Sequence, residues 1–381
     1  MPHAPTVHLD PSRPQASATE ALPTAVVYCE ANFGQGDGKT ANGLVRHSER
    51  YEIRSVIDSR QAGGDTGVIL GDKPNGIPVV ADLAEAIRLD RAVPDFLIFG
   101  VAPSSGMLTL QERRVMLDAM AQGINIVNGL HEFLNDDPEF AAAAVTSGVT
   151  ILDVRRPRDK KDLRMFSGRI AEVTCPRIAV LGTDSAVGKR TTATILTQAL
   201  NDSGIKAVMV GTGQTGLIQG ARYGVALDAI PCQFCSGEME AAVLEAFEGE
   251  HPDVIIIEGQ GALSHPAYLS STFILRGSRP DAVILQHAPA RRELGDFPGI
   301  PTPDPACEIN LIETFGDTTV IGLTINHENM SDAEVTAAIT LYELELDLPA
   351  TDALTRPADR LVEMVVSAFP ELARKPVATA S

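Results

Sequence analysis

One segment of the chain combines glycines and a lysine in the manner of a phosphate-binding loop. Gly182 and Gly188 bound it, Lys189 follows, and an apolar run at 178–181 precedes it. The apolar run is typical of a buried parallel strand, and residues 191–200 have the periodicity of a helix. A loop that ends at a helix N-terminus directs backbone N–H groups and the helix dipole at one place, where an anion is stabilised. The segment therefore predicts a phosphate site.

The segment departs from the standard phosphate-loop pattern in two ways. The pattern has four residues between its glycines and a serine or threonine after its lysine. Here five residues separate Gly182 from Gly188, and Arg190 stands where a magnesium-binding hydroxyl is expected. These departures disfavour Mg-ATP chemistry more than phosphate binding, because a ligand that is not hydrolysed, such as coenzyme A, does not need that hydroxyl. The alternative to a phosphate site is a degenerate loop that has kept its shape but binds no ligand. The predicted binding residues are Gly182, Thr183, Asp184, Ser185, Ala186, Val187, Gly188, Lys189, Arg190 and Thr191.

Further polar side chains follow predicted strands in the same half of the chain. Glu258 ends an apolar run and enters a Gly-rich turn, where it can bind magnesium, accept a proton or cap neighbouring N–H groups. His287 ends the next strand as a candidate general base, and Arg291 and Arg292 can hold a carboxylate. Because open α/β sheets bind ligands at the carboxyl ends of their strands, these residues are candidates for one site.

Three other patterns in this half have both functional and structural interpretations. The run at 211–216 has three glycines, which favours close approach of the backbone to a ligand or a plain flexible loop. His265 follows the turn after Glu258 and is another candidate base. Asn326 ends a predicted strand, where it can face a nucleotide base or act as a turn residue.

The first half of the chain has its own Gly-rich segment at 32–40, directly after its first predicted strand. A dinucleotide fingerprint requires glycine at the position of Lys39, and a phosphate loop requires one more residue between Gly34 and Gly38. Asp58 stands where a ribose-binding acid would lie. We interpret the segment as a turn of a Rossmann-like scaffold, with nicotinamide binding as the less favoured alternative. Lys39 is a candidate for binding an anionic substrate.

Strand and helix patterns alternate along both halves, which predicts an α/β fold with parallel sheets. We predict a disordered tail at 1–22, a Rossmann-like domain at 23–155 and a P-loop NTPase-like domain at 170–370, with a charged linker at 155–161. Strands are predicted at 25–30, 53–58, 96–102, 124–128, 150–154, 178–181, 207–210, 254–257, 282–286 and 320–325. Helices are predicted at 82–89, 111–122, 191–200, 238–248 and 332–344, the last with a capping box of Ser331 and Glu334.

Composition and charge disfavour several classes of partner. The 31 basic and 50 acidic residues give a net charge of −19, which opposes binding to nucleic acid or to an anionic membrane surface. No apolar run reaches the roughly 18 residues of a membrane span, and residues 1–20 lack a signal-peptide pattern. The five cysteines suit a reducing cytoplasm, with Cys232 and Cys235 as partly buried thiols rather than a zinc site. We therefore expect a cytoplasmic protein without a bound metal.

Three longer motifs in the chain resemble a bacterial family of unknown function. They are Gly-Thr-Asp-Ser-Ala-Val-Gly-Lys-Arg-Thr-Thr at 182–192, Ile-Glu-Gly-Gln-Gly-Ala-Leu-Ser-His-Pro at 257–266 and Leu-Gln-His-Ala-Pro-Ala-Arg at 285–291. That family joins a Rossmann-like N-terminal domain to a P-loop domain similar to dethiobiotin synthetase, and the resemblance spans about residues 25–370. Arg190 departs from dethiobiotin synthetase but is usual for the family.

A characterised branch of this family consists of D-glutamate N-acetyltransferases that use acetyl-coenzyme A. The resemblance therefore implies an acetyl-coenzyme A-dependent N-acetyltransferase that acts on an acidic amino acid, with D-glutamate as the leading candidate. In that case Lys189 and Arg190 neutralise the phosphates of coenzyme A. Glu258 or His287 takes the proton of the amine, and loop N–H groups or Lys189 stabilise the oxyanion. The candidates for holding substrate carboxylates are Lys39, Arg291 and Arg292.

Two other functions are also compatible with the sequence. An ATP-dependent ligase or kinase of the dethiobiotin synthetase type would bind Mg-ATP, with Thr191 or Thr192 replacing the displaced hydroxyl and Glu258 or Asp184 at the metal. Arg190 disfavours that function. A nucleotide-binding regulator would bind ATP or GTP without turnover. For the enzymes, we expect a small-molecule substrate and a homo-oligomer.

Overall fold

The computed structural model describes residues 21–103 and 105–374 and contains two compact units. Unit 1 comprises the described residues up to Arg156 together with Gln214–Gly220, and unit 2 comprises Pro157–Gly213 and the described residues from Ala221 onward. Residues 1–20 of the predicted tail lie outside the described residues. Each unit is built on one large parallel sheet, so the predicted α/β fold is confirmed.

Unit 1 has a six-stranded sheet in the order β3-β2-β1-β4-β5-β6. Its strands are β1 (Thr24–Tyr28), β2 (Glu52–Ile57), β3 (Val79–Val80), β4 (Phe96–Phe99), β5 (Asn125–Asn128) and β6 (Ile151–Asp153). Its helices in this part of the chain are α1 (Lys39–Arg46), α2 (Thr66–Ile69), α3 (Leu83–Asp90), α4 (Leu110–Ala121) and α5 (Pro138–Ser147). The strand order reverses direction at β1, so the segment after this strand lies at the switch point of a Rossmann-like sheet.

The second half of the chain forms a seven-stranded parallel sheet in the order β15-β14-β11-β7-β10-β8-β9, and a separate hairpin of β12 and β13. The strands are β7 (Arg177–Gly182), β8 (Ala207–Gly211), β9 (Tyr223–Gly224), β10 (Val254–Glu258), β11 (Ala282–His287), β12 (Glu293–Leu294), β13 (Phe297–Pro301), β14 (Thr319–Ile325) and β15 (Ala350–Thr351). The helices are α6 (Lys189–Asp202), α7 (Gln214–Gln219), α8 (Cys232–Glu250), α9 (Ser270–Ser278), α10 (Pro305–Gly316), α11 (Asp332–Leu346) and α12 (Asp359–Ala368).

The predicted strands and helices are all present, with their ends shifted by at most three residues, except that α8 begins six residues before the predicted start. The apolar runs are uninterrupted because both faces of the sheet are covered. In β7, Ile178 and Val180 pack into one hydrophobic cluster, while Ala179 and Leu181 pack into a second. This arrangement is typical of a central parallel strand. The capping box predicted from Ser331 is also formed at the start of α11.

Residues 214–219 form helix α7, so the alternative of a plain flexible loop is wrong for 214–216, while close approach of the backbone to a ligand stays a prediction. The helix belongs to unit 1, although β8 before it belongs to unit 2. Gln219 Nε2 donates to the carbonyl oxygens of Gly43 and His47, both at 2.7 Å, and the Thr215 and Thr40 hydroxyl oxygens are 2.8 Å apart. These contacts stabilise a helix too short to show a periodic pattern in the sequence.

The described residues hold neither a membrane-length apolar helix nor a group of three His, Cys, Asp or Glu side chains suited to a metal ion. Cys235 is buried near the start of α8, more deeply than the partly buried thiol that the sequence predicts. The prediction is wrong for Cys232, which is exposed because it lies at the first position of that helix.

The turn after β10 is packed too tightly for a side chain. A β-carbon on Gly259 would lie 2.1 Å from the carbonyl oxygen of Val180 in neighbouring β7, so one strand would have to move. We predict that Gly259→Ala lowers the free energy of unfolding by about 1–3 kcal/mol, as measured by urea denaturation. The control is Gly36→Ala, where no atom lies within 4 Å of the added carbon. Equal losses in the two variants would contradict the packing argument.

Candidate ligand-binding site at the phosphate loop

The predicted phosphate loop lies at the carboxyl edge of the seven-stranded sheet, between β7 and α6. Gly188 precedes the helix with a φ of +106°, a conformation that favours glycine. A β-carbon on Gly182 would lie 2.8 Å from the carbonyl oxygen of Gln286. Across the described ranges, the backbone N–H groups of Ala186, Val187 and Gly188 donate to no other residue. The loop therefore offers unpaired donors at a helix N-terminus, as an anion site requires.

Lys189 and Glu258 place opposite charges beside this loop. Lys189 is buried, and its ammonium group donates to the carbonyl oxygen of Asp184. Glu258 is also buried, and its carboxylate accepts a hydrogen bond from the backbone N–H of Thr212 at 3.0 Å. Burial raises the pKa of Glu258 above its usual range, although the charges of Arg190 and Lys189 oppose that shift. A raised pKa suits a carboxylate that takes up a proton near neutral pH.

His287 is the second predicted base, and it is held in the core of the site. Its Nδ1 lies 2.8 Å from the hydroxyl oxygen of Thr183, and its ring packs edge-on against Tyr342. Burial lowers the pKa of His287 to about 4, so the ring is neutral at pH 7. A base with so low a pKa is weak at that pH, which favours Glu258 for proton transfer.

Arg291 reaches back to the loop and joins it to Glu328. One NH group lies 2.8 Å from both the Asp184 carboxylate and the Ser185 carbonyl oxygen. The rest of the guanidinium donates to both carboxylate oxygens of Glu328, at 2.7 and 2.8 Å. A substrate carboxylate would therefore compete with two protein carboxylates for Arg291. Its neighbour Arg292 is exposed and stays a predicted substrate-binding residue.

The ion pair of Arg291 and Asp184 predicts a large stability effect. The Asp184 side chain is fully buried, so removal of the guanidinium leaves a carboxylate charge without its partner. We expect Arg291→Ala to lower the free energy of unfolding by about 3–5 kcal/mol. The adjacent variant Arg292→Ala is the control and should stay within about 0.5 kcal/mol of the unmodified protein. Similar urea midpoints for both variants would show that the pair does not stabilise the fold.

Unit 1 carries the remaining predicted residue, Lys39, which is exposed at the first position of α1. The Gly-rich segment before it forms consecutive turns supported by Asp58. The carboxylate of Asp58 is buried and accepts from the backbone N–H groups of Phe33 and Arg60, at 3.2 and 3.1 Å. These bonds give Asp58 a structural role in the turn, while substrate binding by Lys39 stays a prediction.

Gln286 and Asn326 also support the loop; the sequence indicates Asn326 as a base-facing or turn residue, whereas Gln286 is not among the predicted residues. The Gln286 amide oxygen accepts from the hydroxyls of Thr192 and Thr324, both at 2.5 Å. The Asn326 amide nitrogen donates to the carbonyl oxygen of Val187 at 2.9 Å. A polar residue at the end of an apolar strand is the sequence pattern that indicates Asn326, and the same pattern would have indicated Gln286. The Thr192 hydroxyl, an alternative magnesium ligand in an ATP-binding enzyme, is thus hydrogen-bonded within the protein.

Comparison with known proteins places the chain among relatives of the same architecture. Residues 164–362 match the model of the DUF1611 C-terminal P-loop domain, and residues 59–157 match that of the DUF1611 N-terminal Rossmann-like domain, both of unknown function. The chain belongs to the DUF1611 family. A crystal structure of a DUF1611 family protein from Anabaena variabilis is 30% identical, with a TM-score of 0.83 over 91% of this chain and 99% of that chain.

Two curated relatives of this DUF1611 protein are D-glutamate N-acetyltransferases. The protein from Tritonibacter scottomollicae is 32% identical over 278 residues, which are 71% of this chain and 81% of the relative. The protein from a Pseudoalteromonas species is 32% identical over 275 residues, 70% of this chain and 79% of the relative. The family resemblance and the order of a Rossmann-like and a P-loop domain, both predicted from the motifs, are therefore confirmed.

Proposed function

We propose that this DUF1611 protein is an N-acetyltransferase that transfers an acetyl group from acetyl-coenzyme A to the amino group of D-glutamate. The observation that carries the proposal is the similarity to two D-glutamate N-acetyltransferases, each covering at least 70% of this chain. The chemistry of the phosphate loop is compatible with this activity.

The donor set of the loop fits a phosphate-rich ligand. Lys189 and Arg190 supply positive charge, and the N–H groups of Ala186, Val187 and Gly188 can each donate a hydrogen bond. In this proposal these residues hold the phosphates of coenzyme A. When bound, acetyl-coenzyme A supplies an acetyl group activated as a thioester. Neither the replacement of the usual hydroxyl by Arg190 nor the bond from Thr192 to Gln286 obstructs such a ligand.

We assign the proton transfer to Glu258. An amine attacks a thioester only as the free base, and it must lose a further proton when the new N–C bond forms and the C–S bond breaks. Glu258 takes that proton and returns it to the departing sulfur, so the proton balance closes within the site. Its burial raises the pKa of the carboxyl, which makes it a stronger base than an exposed glutamate.

The direct test combines an activity assay with ligand titrations. The purified full-length protein is incubated with acetyl-coenzyme A and either D- or L-glutamate, while thiol release and N-acetylglutamate are measured. We expect product from D-glutamate and much less from the L-enantiomer. Calorimetric titrations with coenzyme A, acetyl-coenzyme A and Mg-ATP run in parallel. Tight Mg-ATP binding without coenzyme A binding or acetyl transfer would overturn the proposal in favour of a ligase, a kinase or a nucleotide-binding regulator.

A further inference from the structure

His265 is a buried histidine whose protonation pattern follows from its hydrogen bonds. It lies in the segment after β10, and its ring stacks on Tyr268 with centroids 4.3 Å apart. Nδ1 accepts hydrogen bonds from the backbone N–H groups of Ala267 and Tyr268, both at 3.2 Å. An imidazole nitrogen that accepts carries no proton, so the neutral ring has its proton on Nε2.

The Nε2–H group of His265 lacks an acceptor among the described residues. The side chain is fully buried, and Nε2 makes no hydrogen bond within the protein. Asp184 Oδ1 in the phosphate loop lies 3.8 Å from Nε2, which is too far for a hydrogen bond. Because nearly all buried polar groups in proteins are paired, an unpaired N–H directed at a ligand-binding loop points to an acceptor on the ligand.

The acidic groups around His265 are already engaged with other donors. The carboxylate of Asp184 accepts from Arg291 and from the backbone N–H of Gly295, at 2.8 and 2.9 Å. The carboxylate of Asp296 accepts from the hydroxyls of Ser185 and Tyr268, at 2.8 and 2.9 Å. Neither acid is therefore short of donors, and the Nε2–H of the histidine is left to serve another acceptor.

His265 is suited to donate rather than to act as a base. Neither ring nitrogen is free to accept a proton. Nδ1 already accepts hydrogen bonds from two N–H groups, and Nε2 carries the proton of the neutral ring. Burial lowers the pKa of His265, against the influence of Asp184 and Asp296, and this favours the neutral ring. The Lys189 charge acts in the same direction as burial.

We propose that His265 is a ligand-binding residue of the phosphate loop, whose Nε2–H donates a hydrogen bond to a phosphate oxygen of the ligand. A phosphate oxygen matches the chemistry of the other donors at the loop, the N–H groups of Ala186, Val187 and Gly188. The inference goes beyond the acetyltransferase activity, because it holds for any phosphate-bearing ligand on this loop.

Two substitutions separate the donor function of His265 from its role in the turn. In His265→Asn, the amide oxygen takes the place of Nδ1 and keeps the acceptor for Ala267 and Tyr268, but the donor at Nε2 is lost. In His265→Gln, the amide nitrogen takes the place of Nε2 and restores the donor. The probes are coenzyme A, ATP and inorganic pyrophosphate, titrated calorimetrically into each protein.

We expect His265→Asn to weaken binding of the phosphate ligand that the unmodified protein binds by about 10-fold or more, with His265→Gln recovering most of the loss. Thermal unfolding of the ligand-free variants checks that the fold is intact. Unchanged affinity in His265→Asn would overturn the inference. Equal weakening in both variants would also overturn it, because a purely structural role of the ring predicts that result.

An NMR measurement on the unmodified protein gives an answer even if a variant fails to fold. The ¹⁵N-labelled imidazole of His265 should show a protonated Nε2, and this resonance should shift when coenzyme A or ATP saturates the loop. A resonance that does not move at saturation would overturn the inference. If ATP binds and coenzyme A does not, the proposed acetyltransferase function fails while the role of His265 is still tested with ATP.

Discussion

Replacement of Glu258 by glutamine is expected to lower kcat for D-glutamate acetylation by about 10²–10⁴-fold, the usual contribution of a general base. The amide keeps the shape of the side chain but cannot take up the proton of the amine. Steady-state kinetics with acetyl-coenzyme A and D-glutamate measure the effect. Glu345→Gln, an exposed substitution on α11, is the control and should leave kcat unchanged. Unaltered kcat in Glu258→Gln would remove this residue from the mechanism.

The pH dependence of the same variant gives an independent check. Because burial raises the pKa of Glu258, kcat/KM should fall as the pH drops through that raised pKa, in addition to the fall caused by protonation of the substrate amine. The Glu258 contribution should be absent in Glu258→Gln, while the contribution of the amine should remain. The raised pKa of Glu258 affects the free energy of unfolding in the opposite direction, because deprotonation favours catalysis but destabilises the fold. A carboxyl group whose pKa is raised in the folded state stabilises the fold while it is protonated. This contribution to the free energy of unfolding is lost as the pH rises from the ordinary glutamate pKa of 4.5 through the folded-state pKa. At higher pH, Glu258→Gln should therefore unfold at higher urea than the unmodified protein.

Replacement of Lys189 by methionine is expected to weaken coenzyme A binding by about 10- to 100-fold, since a charged hydrogen bond to a phosphate is lost. Methionine fills the buried space of the lysine stem, so the change isolates the ammonium group. Calorimetric titration with coenzyme A measures the affinity. Lys206→Met is the control, because Lys206 lies immediately before β8 and pairs with Glu250 at 3.3 Å.

A truncated substrate distinguishes phosphate binding by Lys189 from a role in the chemical step. The acetyl thioester of N-acetylcysteamine carries the reacting group of acetyl-coenzyme A without its phosphates. If Lys189 serves the phosphates, Lys189→Met should lower kcat/KM for acetyl-coenzyme A but leave that for the truncated thioester nearly unchanged. Equal losses for both substrates would assign Lys189 to oxyanion stabilisation instead. Unchanged coenzyme A affinity in Lys189→Met would contradict the proposed binding mode.

The roles of several residues could not be predicted from sequence patterns. Arg291 was predicted to hold a substrate carboxylate, yet its guanidinium contacts Asp184, 107 positions away in the chain, and Glu328. The sequence indicates His265 as a candidate base, but the hydrogen bonds that its Nδ1 accepts from the following N–H groups make the ring a donor at Nε2. No spacing rule encodes such contacts, because they depend on how loops after different strands meet.

The parts of this protein that follow from local chemistry are readable from the amino-acid sequence. The apolar run of β7, the glycines of the loop and Lys189 at the helix start are adjacent in the chain, so their shared structure depends on backbone dihedral angles and short-range hydrogen bonds. Which side chains around the loop are already paired is visible only in the folded protein. The tertiary structure also assigns α7 to unit 1 and leaves the Nε2–H of His265 unpaired. Burial and long-range pairing arise only when distant segments pack together. Burial raises the pKa of Glu258, and long-range packing brings Arg291 to Asp184.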